Sequence, residues 1–253
     1  MLRRMARSLA AVAATALVLL AGCGGGDDSL TVSAASSLKQ ALTSYGKQFS
    51  EAKARFSFAG SDELAAQIRQ GARPDVFAAA NTKLPDALYK EGLVEKPVTF
   101  AGNRLVLAVP ANGGKVASLQ DVERGGTRLA IGSASVPIGT YTRTVLAKLP
   151  ASESAAIMKN VRSEEPDVAG IVGKLTQGAV DAGFVYVSDV RAAGARLKAI
   201  ELPDALQPTV AYGAAVVKGA KHSAAAKSFI DGLVKGDGRK ALDAAGFLPP
   251  PSQ

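Results

Sequence analysis

A short apolar strand that runs through small residues straight into an amphipathic helix recurs along this chain, and few folds accommodate that unit. In the stretch 30–42, LTVSAASSLKQAL, residues 30–34 are the strand and the helix begins near Ser36 or Ser37. Leu38, Ala41, Leu42, Tyr45 and Phe49 then follow at helical spacing on one face. Residues 55–59, RFSFA, lead into Gly60-Ser61 and a helix with Leu64 and Ile68 inward, Asp62 and Glu63 in its first turn and Gly71 at its stop. Residues 75–79, DVFAA, lead to Asn81-Thr82 as a cap and a helix carrying Leu84 and Leu88. Alternation of this kind predicts a parallel sheet with right-handed crossovers.

A second α/β pattern starts after the strand 104–109, RLVLAV, and the Gly-rich turn at 111–115. Strand 128–131 is followed by the small-residue loop 132–136, and Pro137 stands where a first helical residue is expected, ahead of Tyr141, Val145 and Leu149. A helix at 151–159 leads to a brief extended piece at Val161-Arg162. Asp167 is the natural N-cap of a helix with Val168, Ile171, Val172 and Leu175 on its face. Strands at 181–187, 197–202 and 210–217 and helices at 223–234 and 236–245 complete the chain. The expected fold class is α/β, with two lobes and a cleft between them. Lobe 1 is 30–103 plus 212–253, lobe 2 is 104–211, and strands 104–109 and 210–217 cross between them.

The first residues follow a different logic. Arg3, Arg4 and Arg7 precede an apolar run over 9–20 and then Ala21-Gly22-Cys23, with no acid before Asp27. A dozen apolar residues are too few to span a bilayer comfortably, so 1–22 is expected to be a signal peptide. Cys23 is the single cysteine, and Leu20-Ala21-Gly22-Cys23 resembles a lipoprotein lipobox, which implies lipid on Cys23 and a flexible tether over 23–29. The formal charge is +8, and Arg3, Arg4 and Arg7 supply three of those charges. With no Trp and no Lys/Arg block beyond the start, nucleic acid is not an expected partner.

Catalytic chemistry has little support. His222 is the one histidine, no G-x-S-x-G string exists, and Gly60-Ser61-Asp62 lacks the second glycine. One His and one Cys build no metal cage, and no phosphate-loop motif is present. A surface hydrolase pairing Ser37 or Ser61 with His222 is the remote alternative. What remains is the joints themselves. A helix N-terminus offers unpaired N–H groups and partial positive charge, which suit an anion. Taken one at a time, the same residues are equally well explained as helix caps, a strand tyrosine at 186 and a core residue at 138.

The segments LTVSAASSLKQAL, FAGSDELAAQI, GARPDVFAAAN, GNRLVLAVP, VPIGTY, DVAGIV and GFVYVSD occur in an order that resembles the molybdate-binding proteins of bacterial ABC importers. These belong to the extracytoplasmic solute-binding proteins, and the likeness covers about 30–247. It implies the two-lobed periplasmic-binding-protein fold of type II. It also implies that Ser37 and Ser61 donate from the first lobe, and the N–H groups of Ile138 and Val168 and the Tyr186 hydroxyl from the second. Molybdenum would then be bound only as its oxyanion, molybdate or tungstate, with no cofactor. The implied protein is a monomer on the outer face of the membrane, delivering its ligand to a permease driven by an ATPase. The nearest alternative is the same fold holding sulfate, phosphonate or a small organic anion.

Three positions depart from the resemblance. Ile138 stands where the family often has alanine, Asp62 where it often has a small hydroxyl residue, and Asp167 adds a second acid beside the implied site. Both carboxylates are expected to fold back onto their own helix N–H groups and face solvent.

Overall fold

The computed structural model describes residues 29–112 and 114–251. The expected signal peptide at 1–22, Cys23 and the expected tether over 23–29 lie outside the described residues, except Ser29, which opens the first strand.

Two five-stranded sheets share one topology. In the first, β1 (Ser29–Ala35), β2 (Lys53–Ala59) and β3 (Val76–Ala79) are parallel, linked by α1 (Lys39–Gly46) and α2 (Ser61–Arg69). After α3 (Lys83–Lys90) the chain adds β4 (Val98–Asn103), and its last strand, β10 (Val210–Val216), inserts antiparallel between β3 and β4. The second sheet repeats this plan. Its parallel strands are β6 (Leu129–Gly132), β7 (Val161–Glu165) and β8 (Ala182–Tyr186), with β5 (Leu105–Pro110) antiparallel between β8 and β9 (Leu197–Glu201). Helices α4 (Pro137–Leu146), α5 (Ala151–Lys159), α6 (Val168–Thr176) and α7 (Val187–Ala193) cover it.

Burial explains the strand patterns. β3, β6 and β8 are covered on both faces and are buried at every residue, whereas the edge strands β2 and β7 alternate. That alternation is why only Val161-Arg162 stands out as a brief extended piece: the charges of the segment face out along an edge, yet residues 161–165 form a full strand paired with β6. The sequence pattern also lacks β4. Gly102 and Asn103 resemble a turn, but the run from 98 to 110 stays extended and carries the chain from the first sheet into the second. The chain returns over 202–209. Both strands expected to cross, 104–109 and 210–217, are thus rungs of a sheet that lead into or out of these two passages. The Gln207 amide joins the passages, donating to the Leu105 carbonyl at 2.9 Å and accepting the Leu105 N–H at 3.3 Å.

The C-terminal helices α8 (Ser223–Lys235) and α9 (Asp237–Ala244) pack on α1, as expected. Tyr45, Phe49 and Phe229 stack there, and Tyr45 Oη donates to the Phe229 carbonyl at 3.2 Å. A buried carboxylate ties α8 to the start of the chain. Asp75, only 2% exposed, accepts from Thr31 N and Thr31 Oγ1, both at 2.8 Å, and from His222 N at 2.9 Å. Burial pushes its carboxyl up, but these donors outweigh that and hold it below the usual range. Its stabilisation is present above the unfolded carboxylate pKa and is lost as pH falls through the lower folded value. Asp75→Asn turns a donor toward donors and is expected to cost about 1–3 kcal/mol at neutral pH. Denaturant titrations from pH 7 to pH 2 check this, because the gap to wild type must close toward the acid end.

Candidate functional site

The parallel strands of both sheets point their C-terminal ends at one another, and a single small cavity lies between them. Ala35 ends β1, Ala59 ends β2, Ala80 follows β3, Val136 and Pro137 follow β6, Asp167 follows β7 and Tyr186 ends β8; all line the cavity. Ligands of open α/β sheets bind at this position. The cavity volume is about 20 Å³, where one buried water needs roughly 10–15 Å³. It suits a compact group of a few atoms.

All five residues singled out in the sequence, Ser37, Ser61, Ile138, Val168 and Tyr186, line this one space, and all are buried. Four helical segments begin at its wall: the 3-10 turn Ser36–Leu38 ahead of α1, then α2, α4 and α6. Their first N–H groups have no partner within the helix, and their dipoles sum to positive potential inside. No Lys, Arg or His is among the lining residues. Lys39, Lys47 and Arg196 line a wider groove of about 720 Å³, which adjoins the cavity at Ser36 and Ser37.

The serines do not cap their helices. Neither the turn at Ser36–Leu38 nor α2 has a side-chain cap hydrogen bond. Ser61 Oγ instead accepts the Ala80 N–H at 3.0 Å, which leaves its own proton to donate elsewhere. Ser37 Oγ lies 3.0 Å from Tyr212 Oη. Tyr212 was not singled out, because a tyrosine in a buried strand carries no signal that separates support from packing. Ser36, Gly60 and Ala80 were also missed as lining residues.

Tyr186 is 1% exposed, and its hydroxyl has no hydrogen-bond partner among the described residues. Its ring packs edge-on to Tyr212 at 5.9 Å and to Tyr141 at 6.4 Å. Burial first, then these neighbours and Asp189, raises its pKa well above the ordinary value, so it stays a neutral donor. An orphaned buried hydroxyl costs free energy unless something occupies the cavity.

The two acids behave differently from each other. Asp167 folds back as expected and accepts the Gly170 N–H at 3.0 Å as the cap of α6, although it also lines the cavity. Asp62 does not fold back. Its Oδ2 accepts a hydrogen bond from Ser135 Oγ at 2.9 Å, across the cleft, because α2 begins where the loop before α4 comes closest. His222 is near neither serine: Nδ1 lies 3.3 Å from Asp75 Oδ2, and Asp75 pairs with the start of β1. Thr31 and Ala35, the last strand residue before the turn that carries Ser37, are separated by about 13 Å of strand. The serine–histidine alternative therefore has no pair to act through. Among the described residues, no cluster of His, Cys, Asp and Glu suits a metal ion.

Residues 30–248 match the family of bacterial extracellular solute-binding proteins. The molybdate-binding protein ModA of Mycobacterium tuberculosis is 36% identical over 236 residues, covering 91% of this chain and 88% of that one. Two solved structures share the fold. The periplasmic molybdate-binding protein of Azotobacter vinelandii gives a TM-score of 0.79 at 23% identity, covering 88% of this chain and 100% of that one. The sulfate-binding protein SubI of Mycobacterium tuberculosis gives 0.77 at 19%, covering 87% and 86%.

Asp189 supports the cavity from behind, and its Oδ2 accepts the Tyr186 N–H at 3.0 Å. Burial raises its pKa to about 7; the Tyr186 N–H offsets part of that rise, and Asp167 adds a smaller push upward. The folded protein thus keeps a proton that the unfolded chain has released, and stability falls as pH rises from about 4 to about 7. Asp189→Asn keeps the acceptor and is expected to add about 1–4 kcal/mol at pH 8 and nothing below pH 4. Unfolding curves across that range check it. With the match spanning both sheets and the cavity between them, this chain belongs to the bacterial extracellular solute-binding proteins, a family of binding proteins and not of enzymes.

Proposed function

We propose that this protein is the extracytoplasmic receptor of an ABC importer, anchored through lipid on Cys23 after removal of residues 1–22, and that it captures molybdate and tungstate. Its lobes, 30–103 with 212–253 and 104–211, close on the oxyanion, and the closed receptor delivers it to a permease driven by a cytoplasmic ATPase. Ser37, Ser61 and Tyr186 donate through hydroxyls, and Ile138 and Val168 through backbone N–H groups. The observation that carries this reading is the donor set: buried hydroxyls and helix N-termini surround one small cavity with no cation in its wall. The molybdate-binding relative at 36% identity supports the choice of ligand.

Neutral dipoles suffice for such a ligand. Five to seven bonds to a charged group, at roughly 1.5–3 kcal/mol each, give about 10–20 kcal/mol before ordering and lobe closure are subtracted. What is left corresponds to sub-micromolar affinity, near −9 to −11 kcal/mol. Selection against sulfate comes from size, since metal–oxygen bonds are longer than sulfur–oxygen bonds while the donors suit both anions. The fold is shared with a sulfate-binding protein and cannot by itself make that choice.

Calorimetric titration of residues 24–253 with molybdate, tungstate and sulfate tests the proposal. One-to-one binding of the first two and none of sulfate is expected; binding of sulfate alone would keep the fold and refute the ligand. Ser37→Ala, Ser61→Ala and Tyr186→Phe are each expected to weaken molybdate by about 1–3 kcal/mol. Unchanged affinity in all three would remove them from the site.

A further inference from the structure

The cavity is closed from both sides of the cleft, and the contacts that close it are separate from the donors that line it. On the first sheet's side stand Gly60 and Asp62, at the start of α2. A Cβ on Gly60 would lie 2.5 Å from the carbonyl oxygen of Pro166, so the backbones meet there only because residue 60 has no side chain. One turn outward, Ser135 Oγ donates to Asp62 Oδ2 at 2.9 Å.

The loop carrying Ser135 is held in place before it reaches Asp62. Ser133 N donates to the Glu165 carbonyl at 2.9 Å, and Arg143 Nη1 donates to the Gly132 carbonyl at 2.8 Å. Thr140 Oγ1 donates to the Ala134 carbonyl at 3.2 Å. A Cβ on Gly139 would fall 1.8 Å from the Ser133 carbonyl oxygen, so α4 packs directly on the loop backbone. Asp62 sits at the N-terminus of α2, where its charge is favoured by the helix dipole and is available to accept. Neither Asp62 nor Ser135 lines the cavity.

We propose that Asp62 and Ser135 form a latch that holds the two lobes shut over the bound oxyanion and sets its rate of release, with Gly60 the residue that lets the lobes meet. This rests on the oxyanion-receptor reading. The Asp62 carboxylate bonds to the opposite lobe and not to the cavity.

Release is measured on the full-length chain in detergent, by mixing the molybdate-loaded protein with excess tungstate and following tyrosine fluorescence, there being five Tyr and no Trp. Asp62→Ala and Ser135→Ala are each expected to speed release about threefold to tenfold, with the association rate within twofold of wild type. The double variant is expected to be no faster than either single one. Asp62→Asn, which keeps an acceptor, is expected to stay within twofold of wild type. Wild-type release from both alanine variants overturns the latch, as does equal acceleration by Asp62→Asn and Asp62→Ala, which would assign the effect to charge alone. If wild type binds neither anion, the receptor reading fails separately. Amide exchange of the unliganded protein then decides the latch: faster exchange at 60–65 and 133–138 in both alanine variants supports it, and unchanged exchange overturns it.

Discussion

The first N–H groups of an α-helix have nothing within the helix to bind, and this protein places four such helix starts around one cavity. That arrangement dictates much of the rest. The residues between strand and helix must be small, or the backbone could not approach a ligand, and alanines do stand at the ends of β1, β2 and β3. The helices must not be capped by their own side chains, or the donors would be spent. Ser37 and Ser61 accordingly bond elsewhere, to Tyr212 and to Ala80, and those contacts orient them.

The exception, α6, is instructive. Asp167 does cap its helix, but through the Gly170 N–H, which leaves the first N–H of that helix, at Val168, for the cavity. On those terms the carboxylate beside the cavity already has an N–H donor from its own helix. Behind the wall, Asp189 has no such relief. Buried and bonded once to the Tyr186 N–H, it holds a proton near neutrality, and so brings no full negative charge to the cavity. The wall of the cavity holds no Lys, Arg or His, and Lys39, Lys47 and Arg196 line the wider groove outside it.

Two sheets of the same topology make the cleft, and each takes its fourth strand from a segment beside the passage between them. Closure is then a matter of few contacts. The passages at 103–104 and 202–209 are joined by Gln207 on Leu105 and by Arg104 on Asp204, and Lys148, just past α4, donates to the Ala205 and Gln207 carbonyls at 3.1 and 2.9 Å. The far side of the cleft meets through Gly60 and Asp62. A hinge on one side and a small polar contact on the other is a geometry in which opening disturbs little of either core.

Much of this was legible in the residues because it is local. Strand-to-helix joints follow from apolar periodicity and from small residues at the turn, which marked them at Ser36 or Ser37, Gly60-Ser61, Pro137 and Asp167; the family resemblance then singled out Ser37, Ser61, Ile138, Val168 and Tyr186. Edge strands were harder, since charges facing solvent in residues 161–165 hide a strand whose partner lies thirty residues away in sequence, at β6. β4 was hidden by Gly102 and Asn103, turn formers that here lie in an extended passage. Whether a serine caps its helix or faces a ligand was undecidable from sequence, because both uses favour the same residue at the same position. Tertiary structure decided the first half of that choice, against capping, by supplying Tyr212 and the Ala80 N–H as partners from distant strands. It also decided the fate of Asp62, whose partner Ser135 is brought near only when two separately folded sheets face each other.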